Sequence, residues 1–121
     1  MRLVIPPFLV LAGLITSGFD PAAARTWYVE PDGTGDVINI QVAIADSASP
    51  GDTVLLAPGE FRGPGNTDVD FGGMAVTVTS ALGAGFTKIN CESRQAFLFQ
   101  SGEGPSTVLS EVTIINGFDS F

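Results

Sequence analysis

The stretch SPGDTVLLAPGEFRG, residues 49–63, holds a short strand candidate between two Pro-Gly turns. Pro50-Gly51 leads into TVLLA (53–57), and Pro58-Gly59 leads out of it. Apolar and β-branched residues bounded by Gly and Pro punctuation read as a strand. Working outward, only one segment has a helical period. Asn39 can cap it, and Val37, Ile40 and Ile44 form one apolar stripe leading into and through IQVAIADSA (40–48). Ser49, Pro50 and Gly51 stop that helix after about two turns. Before it, TWYV (26–29) reads as a strand and EPDGTGD (30–36) as turn chemistry.

Downstream of Gly51 only strands and turns are signalled. AVTVTS (75–80), TKINC (87–91), AFLFQ (96–100) and VTIIN (112–116) are the further candidates. Val76 and Val78 share a face, as do Ile89 with Cys91 and Phe97 with Phe99. No Asn-Gly or Asp-Gly pair joins two strands by a two-residue loop, so tight hairpins are not indicated. The spacing is more informative. Val54 to Val76 is 22 positions, Val76 to Phe97 is 21, and Ile89 to Ile114 is 25. Strands recurring every twenty-odd residues between Gly-rich turns point to a solenoid. A β-sandwich stays open on spacing alone, since neighbouring strands are also about 10 to 15 residues apart. In a solenoid, Val54, Val76 and Phe97 are expected to stack as one apolar column. The helix at 40–48 is expected to close the first coil, whose strand edge would otherwise be open.

Composition excludes several chemistries. The 121 residues contain no histidine and one cysteine, Cys91, and carry a net charge of −8. A Ser-His-Asp triad and Cys/His zinc sites are therefore ruled out, as is an internal disulfide. An acidic surface disfavours nucleic acid and anionic membranes. At the start, Arg2 precedes an apolar run interrupted by Pro6 and Pro7, and Ala22 and Ala24 supply a small-x-small pattern. This reads as a cleaved signal peptide over residues 1–24 and implies export, with no membrane span after cleavage.

DGTGDVINIQVAIADSASPGDTVLLAPGEFRG (32–63) resembles the N-terminal opening of right-handed parallel β-helix proteins of the pectin-lyase-like superfamily. NTDVDFGGMAVTVTS and VLSEVTIINGF resemble the coils that follow in secreted bacterial β-helix repeat proteins. The resemblance implies an all-β fold, a right-handed parallel β-helix with a short N-terminal capping helix, incomplete at its C-terminal end. The expected organisation is a signal peptide (1–24), a first strand with the capping helix (25–52), and the first coils of the β-helix (53–121). The same opening is shared by lyases, hydrolases, esterases and non-catalytic surface proteins, so it specifies fold rather than activity. VDFGG (69–73) echoes a pectin methylesterase motif but lacks its second aromatic and lies too early, so no catalytic role transfers to Asp70.

Asp68 and Asp70, with Asn66 nearby, form the densest oxygen cluster. Calcium is the cofactor they could serve, because residues 68 and 70 of a strand share a face. Two carboxylates fall short of calcium's usual set of about 6–8 oxygens, and turn chemistry explains the same residues. Glu60, Glu92, Glu103 and Glu111 fall in no recognisable catalytic pairing. Arg62, Lys88 and Arg94 read as solubilising charges, Trp27 and Tyr28 as packing residues of the first strand, and Cys91 as a small buried hydrophobe.

No catalytic residues are assigned. The chain is expected to be an exported β-helix scaffold or binding segment at the cell surface or outer membrane, or secreted. Its partners would be a polysaccharide or a surface protein, together with downstream coils of a longer chain. The alternative is the N-terminal portion of a polysaccharide-active enzyme, pectate or pectin lyase-, polygalacturonase- or pectin methylesterase-like. Its catalytic residues would then lie beyond residue 121. NGFDSF ends the sequence without a second cap, so association through that face is expected.

Overall fold

A computed structural model describes residues 23–117. The leader expected over 1–24 thus lies outside the described residues apart from its last two. Among the described residues there are nine short strands: β1 (Thr26–Val29), β2 (Thr53–Leu56), β3 (Gly59–Phe61), β4 (Val69–Asp70), β5 (Thr77–Ser80), β6 (Thr87–Asn90), β7 (Phe97–Leu98), β8 (Val108–Leu109) and β9 (Thr113–Ile115). Every strand pairing between them is parallel. The strands form three sheets, ordered β1-β2-β5-β8, β3-β6-β9 and β4-β7. Successive members of each sheet come from successive coils, so the chain winds as a β-solenoid of about three turns.

The register shows why this sequence stacks. Trp27, Val54, Val78 and Leu109 lie above one another, as do Val29, Leu56 and Ser80. These are the inward positions, and Val29, Val54, Leu56 and Val78 are fully buried. The alternate residues Thr53, Leu55, Thr77 and Thr79 face out. On the second sheet Phe61 lies below Ile89 and Ile89 below Ile114; on the third, Val69 lies below Phe97. Phe71 is buried, and its ring lies 5.9 Å from that of Phe97 and stacks on Phe99 at 4.7 Å. Each such side chain removed from water contributes roughly 1.5–3 kcal/mol.

One expectation needs correction. The column Val54–Val76–Phe97 does not exist. Val54 stacks on Val78, 24 positions on, and Phe97 belongs to a different sheet. Turns of unequal length separate the coils, so the near-equal spacings of 22 and 21 linked residues that share no sheet. The Ile89–Ile114 spacing does match an observed pair. The short cap helix stands where it was expected, over residues 40–47, and is α-helical only at its start. α1 (Ile40–Val42) passes straight into a π-helical turn, Ala43–Ser47, closed by Ala48 N donating to Ala43 O at 2.8 Å. Asn39 caps as expected, its side chain accepting from Val42 N at 2.8 Å. Ile40 and Ile44 are buried in the same core cluster as Val29, Val54, Leu56 and Phe71.

The first coil closes the stack with three separate devices. Asp36 covers the edge of β1: its N–H donates to Tyr28 O at 2.8 Å, and its carboxylate accepts from Tyr28 N at 2.9 Å. Pro31, which has no N–H to offer, sits where a Cβ on Gly59 would come within 2.8 Å of its ring. Gln41 covers the edge of β4 with its side-chain amide. Unpaired edges that would otherwise template association are thereby occupied.

Candidate functional site: a polar cleft between two turns

Two turns from successive coils meet side by side. In the lower one, Gly63-Pro64-Gly65-Asn66-Thr67 joins β3 to β4. Asn66 N donates to Gly63 O at 3.0 Å and the Thr67 hydroxyl to the same carbonyl at 3.2 Å. Asn66 is buried, and its side chain ties the turn inward, donating to Arg62 O and accepting from Ile40 N. In the upper one, Cys91 to Ala96 joins β6 to β7, with Arg94 N donating to Cys91 O at 2.8 Å. Glu92 and Ser93 adopt left-handed backbone (φ 51° and 69°), as does Asp68 below them (φ 50°). Non-glycine residues in that region carry strain of order 1–3 kcal/mol and concentrate at functional sites.

Asp68 joins the two turns. Its N–H donates to Gln95 O at 2.6 Å, and its carboxylate accepts from Gln95 N at 3.1 Å and from Arg94 Nη1 at 3.0 Å. Two adjoining open hollows of about 340 and 290 Å³ share Asp68 and Arg94. Ser93 and Gln95 line one, and Pro64, Gly65 and Thr67 the other. The Arg94 side chain is 67% exposed, so its remaining N–H groups are free to meet a ligand. Beside the cleft, Arg62 pairs with Glu60 and lies 3.7 Å from Glu92. Asn90 donates to Glu60 and accepts from Asn116, which continues the polar ladder onto the next rung.

Asp68 and Asp70 do not form the shared strand face that the sequence suggested. Asp68 precedes β4 in left-handed backbone, which breaks the two-residue alternation. The Asp70 carboxylate accepts from Gly72 N at 2.8 Å and from Gln100 Nε2 at 3.2 Å, so the two acids serve different partners. Among the described residues, no three His, Cys, Asp or Glu side chains gather as a metal-ligand set. The carboxyls whose pKa departs from the ordinary value all move down. Ser49 N, Arg25 N and the Trp27 indole hold Asp52 low; Gly73 N and Ser101 N do so for Glu103, and Thr34 for Asp32. A general acid working near neutral pH needs the opposite shift. Burial, with the Asp68 charge nearby, pushes the Cys91 thiol up, which makes it less reactive.

Lys88 is exposed and in register with Glu60 and Thr113, as its place in an alternating strand implied. Trp27 is structural: its indole donates to Asp52 and the Arg25 guanidinium lies over its ring at 4.0 Å. Tyr28, expected to pack, is instead 52% exposed on the outer face of β1. Sequence reasoning missed Ser93 and Gln95 in the cleft and the roles of Gln41 and Asp52. Asp52 did carry a signal, since an Asp two residues after a Pro-Gly turn start is a common backbone binder. No family model, curated protein or solved structure matches the chain.

Proposed function

We propose that this chain is an exported, non-catalytic binding module of the right-handed, pectin-lyase-like β-helix type, and that the cleft at Asp68 and Arg94 takes a carbohydrate chain at the cell surface. One observation carries this: two turns on adjacent rungs converge on an open groove that offers donors and acceptors together. Arg94 presents N–H groups, the Asp68 carboxylate and the Gln95 side chain present acceptors, and Ser93 and Thr67 contribute hydroxyls. Polyhydroxylated ligands are recognised by such mixed sets, in which each sugar hydroxyl both donates and accepts. The existing pairing of the cleft's carboxylate, Asp68, with Arg94 favours binding over acid–base turnover.

Calorimetric titration of the exported protein with neutral and uronic oligosaccharides is the test. Binding to one class with no change in ligand length, lost in Arg94→Ala, is the expected result. Ligand shortened by the wild-type protein, or affinity unchanged in Arg94→Ala, would overturn it.

A further inference from the structure

Asp52 is the most deeply placed acid of the described chain, only 4% exposed, and it does not line the cleft. Its Oδ2 accepts from Ser49 N at 2.9 Å and from the Trp27 indole at 3.0 Å. Its Oδ1 accepts from the main-chain nitrogen of Arg25 at 2.9 Å. All three donors are neutral N–H groups. A buried carboxylate prefers a formal positive charge to dipoles alone. Among the described residues, the only charge set against it is the Arg25 guanidinium, whose position over the Trp27 ring leaves the hydrogen bonds to Asp52 to other groups.

The Arg25 nitrogen is also the atom that the small-x-small pattern Ala22-Ala23-Ala24 marks for release. Arg25 is anchored from its own carbonyl, which accepts from Thr53 N at 2.9 Å, while Ala23 and Ala24 are exposed. We propose that hydrolysis of the Ala24–Arg25 peptide bond by a signal-peptide endopeptidase turns the Arg25 nitrogen into an α-ammonium held by the buried Asp52 carboxylate, so that processing completes the N-terminal end of the solenoid. One water is consumed. Ala24 leaves with the new carboxylate, and Arg25 keeps its nitrogen, which takes up a proton at neutral pH. The site is selective for this bond. Moving the new terminus by one residue shifts the nitrogen by about 3.3–3.6 Å, beyond hydrogen-bond reach of Oδ1.

The inference rests on the reading of the chain as an exported protein, and the experiment separates the two. The full chain is expressed in an exporting host, and its first residue is read by intact-mass and N-terminal peptide analysis. The α-amine is then acylated at pH 7 in the folded and the urea-unfolded protein, with an Asp52→Asn variant alongside. Arg25 is the expected first residue, and its amine should react at least about tenfold more slowly when folded, the effect of a pKa raised by about one unit. Asp52→Asn should abolish that protection. If the variant does not fold, the same chain beginning at Ala24 through a displaced cleavage site gives the second measurement, with an amine that reacts as fast folded as unfolded. A chain that keeps Met1 overturns both the export reading and this one. An exported chain that begins elsewhere, or an Arg25 amine equally reactive in both states, overturns this inference alone.

Discussion

The side-chain amide of Gln41 brackets the backbone of Asp70. Its Oε1 accepts from Asp70 N at 2.8 Å, and its Nε2 donates to Asp70 O at 3.0 Å. These are the two bonds that a neighbouring strand would make, supplied by one side chain from the cap. The Gln41 main chain meanwhile donates to Gly65 O at 2.9 Å, so one residue of the cap holds both β4 and the lower turn of the cleft. A strand of two residues, β4, is thereby held on both sides, by Gln41 below and by β7 above.

Gln41→Ala should leave both Asp70 backbone groups without this partner. The expected loss is about 1–3 kcal/mol, and each kcal/mol lowers Tm by roughly 4–8 °C in a domain of this size. Gln41→Glu is the sharper probe. A carboxylate can still accept from Asp70 N but turns its second oxygen toward Asp70 O. That variant should be less stable at pH 7 than at pH 4 relative to wild type, where protonation restores a donor. Thermal melts at the two pH values, compared with wild type, give the answer.

Asp52 sets an acid limit on stability. Its folded pKa lies below the unfolded value of about 3.9, because Ser49 N, Arg25 N and the Trp27 indole bond the ionised form. Its contribution is therefore complete above about pH 4 and is lost as pH falls through the lowered folded value. Asp52→Asn should cost about 1–3 kcal/mol at pH 7 and flatten the fall in stability below pH 4. Urea midpoints between pH 2 and 7 for both proteins test the slope. An unchanged acid limb in the variant would mean that other carboxyls control it.

Much of the architecture is legible in the sequence. TWYV is β1 to the residue, and the Ile89–Ile114 spacing is an observed stacking pair. Asn39 and the Ile40/Ile44 stripe announced a cap because capping and burial are both local signals. What escaped was whatever depends on neighbouring coils. β3, β4 and β8 have two or three residues each, too few for a periodic signal, and exist because a strand lies beside them. Asp68 and Gln95 are 27 positions apart and meet only through the register of β4 on β7. The alternation rule failed at Asp68 because a left-handed residue interrupts it.

Gly65 and Gly72 separate conformation from packing. Both have positive φ, 88° and 59°. A Cβ at Gly72 meets nothing within 4 Å, whereas one at Gly65 would lie 2.3 Å from the side-chain nitrogen of Asn39. Gly72→Ala should therefore cost only the left-handed penalty, about 1–2 kcal/mol. Gly65→Ala adds displacement of the helix cap, about 1 kcal/mol more. Equal urea midpoints for the two variants would show that Asn39 moves aside freely.

Ile89 and Ile114 occupy the same inward position on successive rungs, in direct register. Ile89 is fully buried, while Ile114 remains 47% exposed, because no described strand lies beyond β9. Truncation should therefore have unequal effects. Ile89→Ala removes a packed side chain from between two rungs and should cost about 2–5 kcal/mol. Ile114→Ala gives up only part of that burial, and its cost should be about 1 kcal/mol or less on an area basis. Urea denaturation of both variants at several protein concentrations makes the comparison. If Ile114→Ala proves as costly as Ile89→Ala, and its cost depends on concentration, then another chain covers the last rung in solution. A small, concentration-independent cost means that the rung stays open to water, with Phe99 exposed on the same end of the stack.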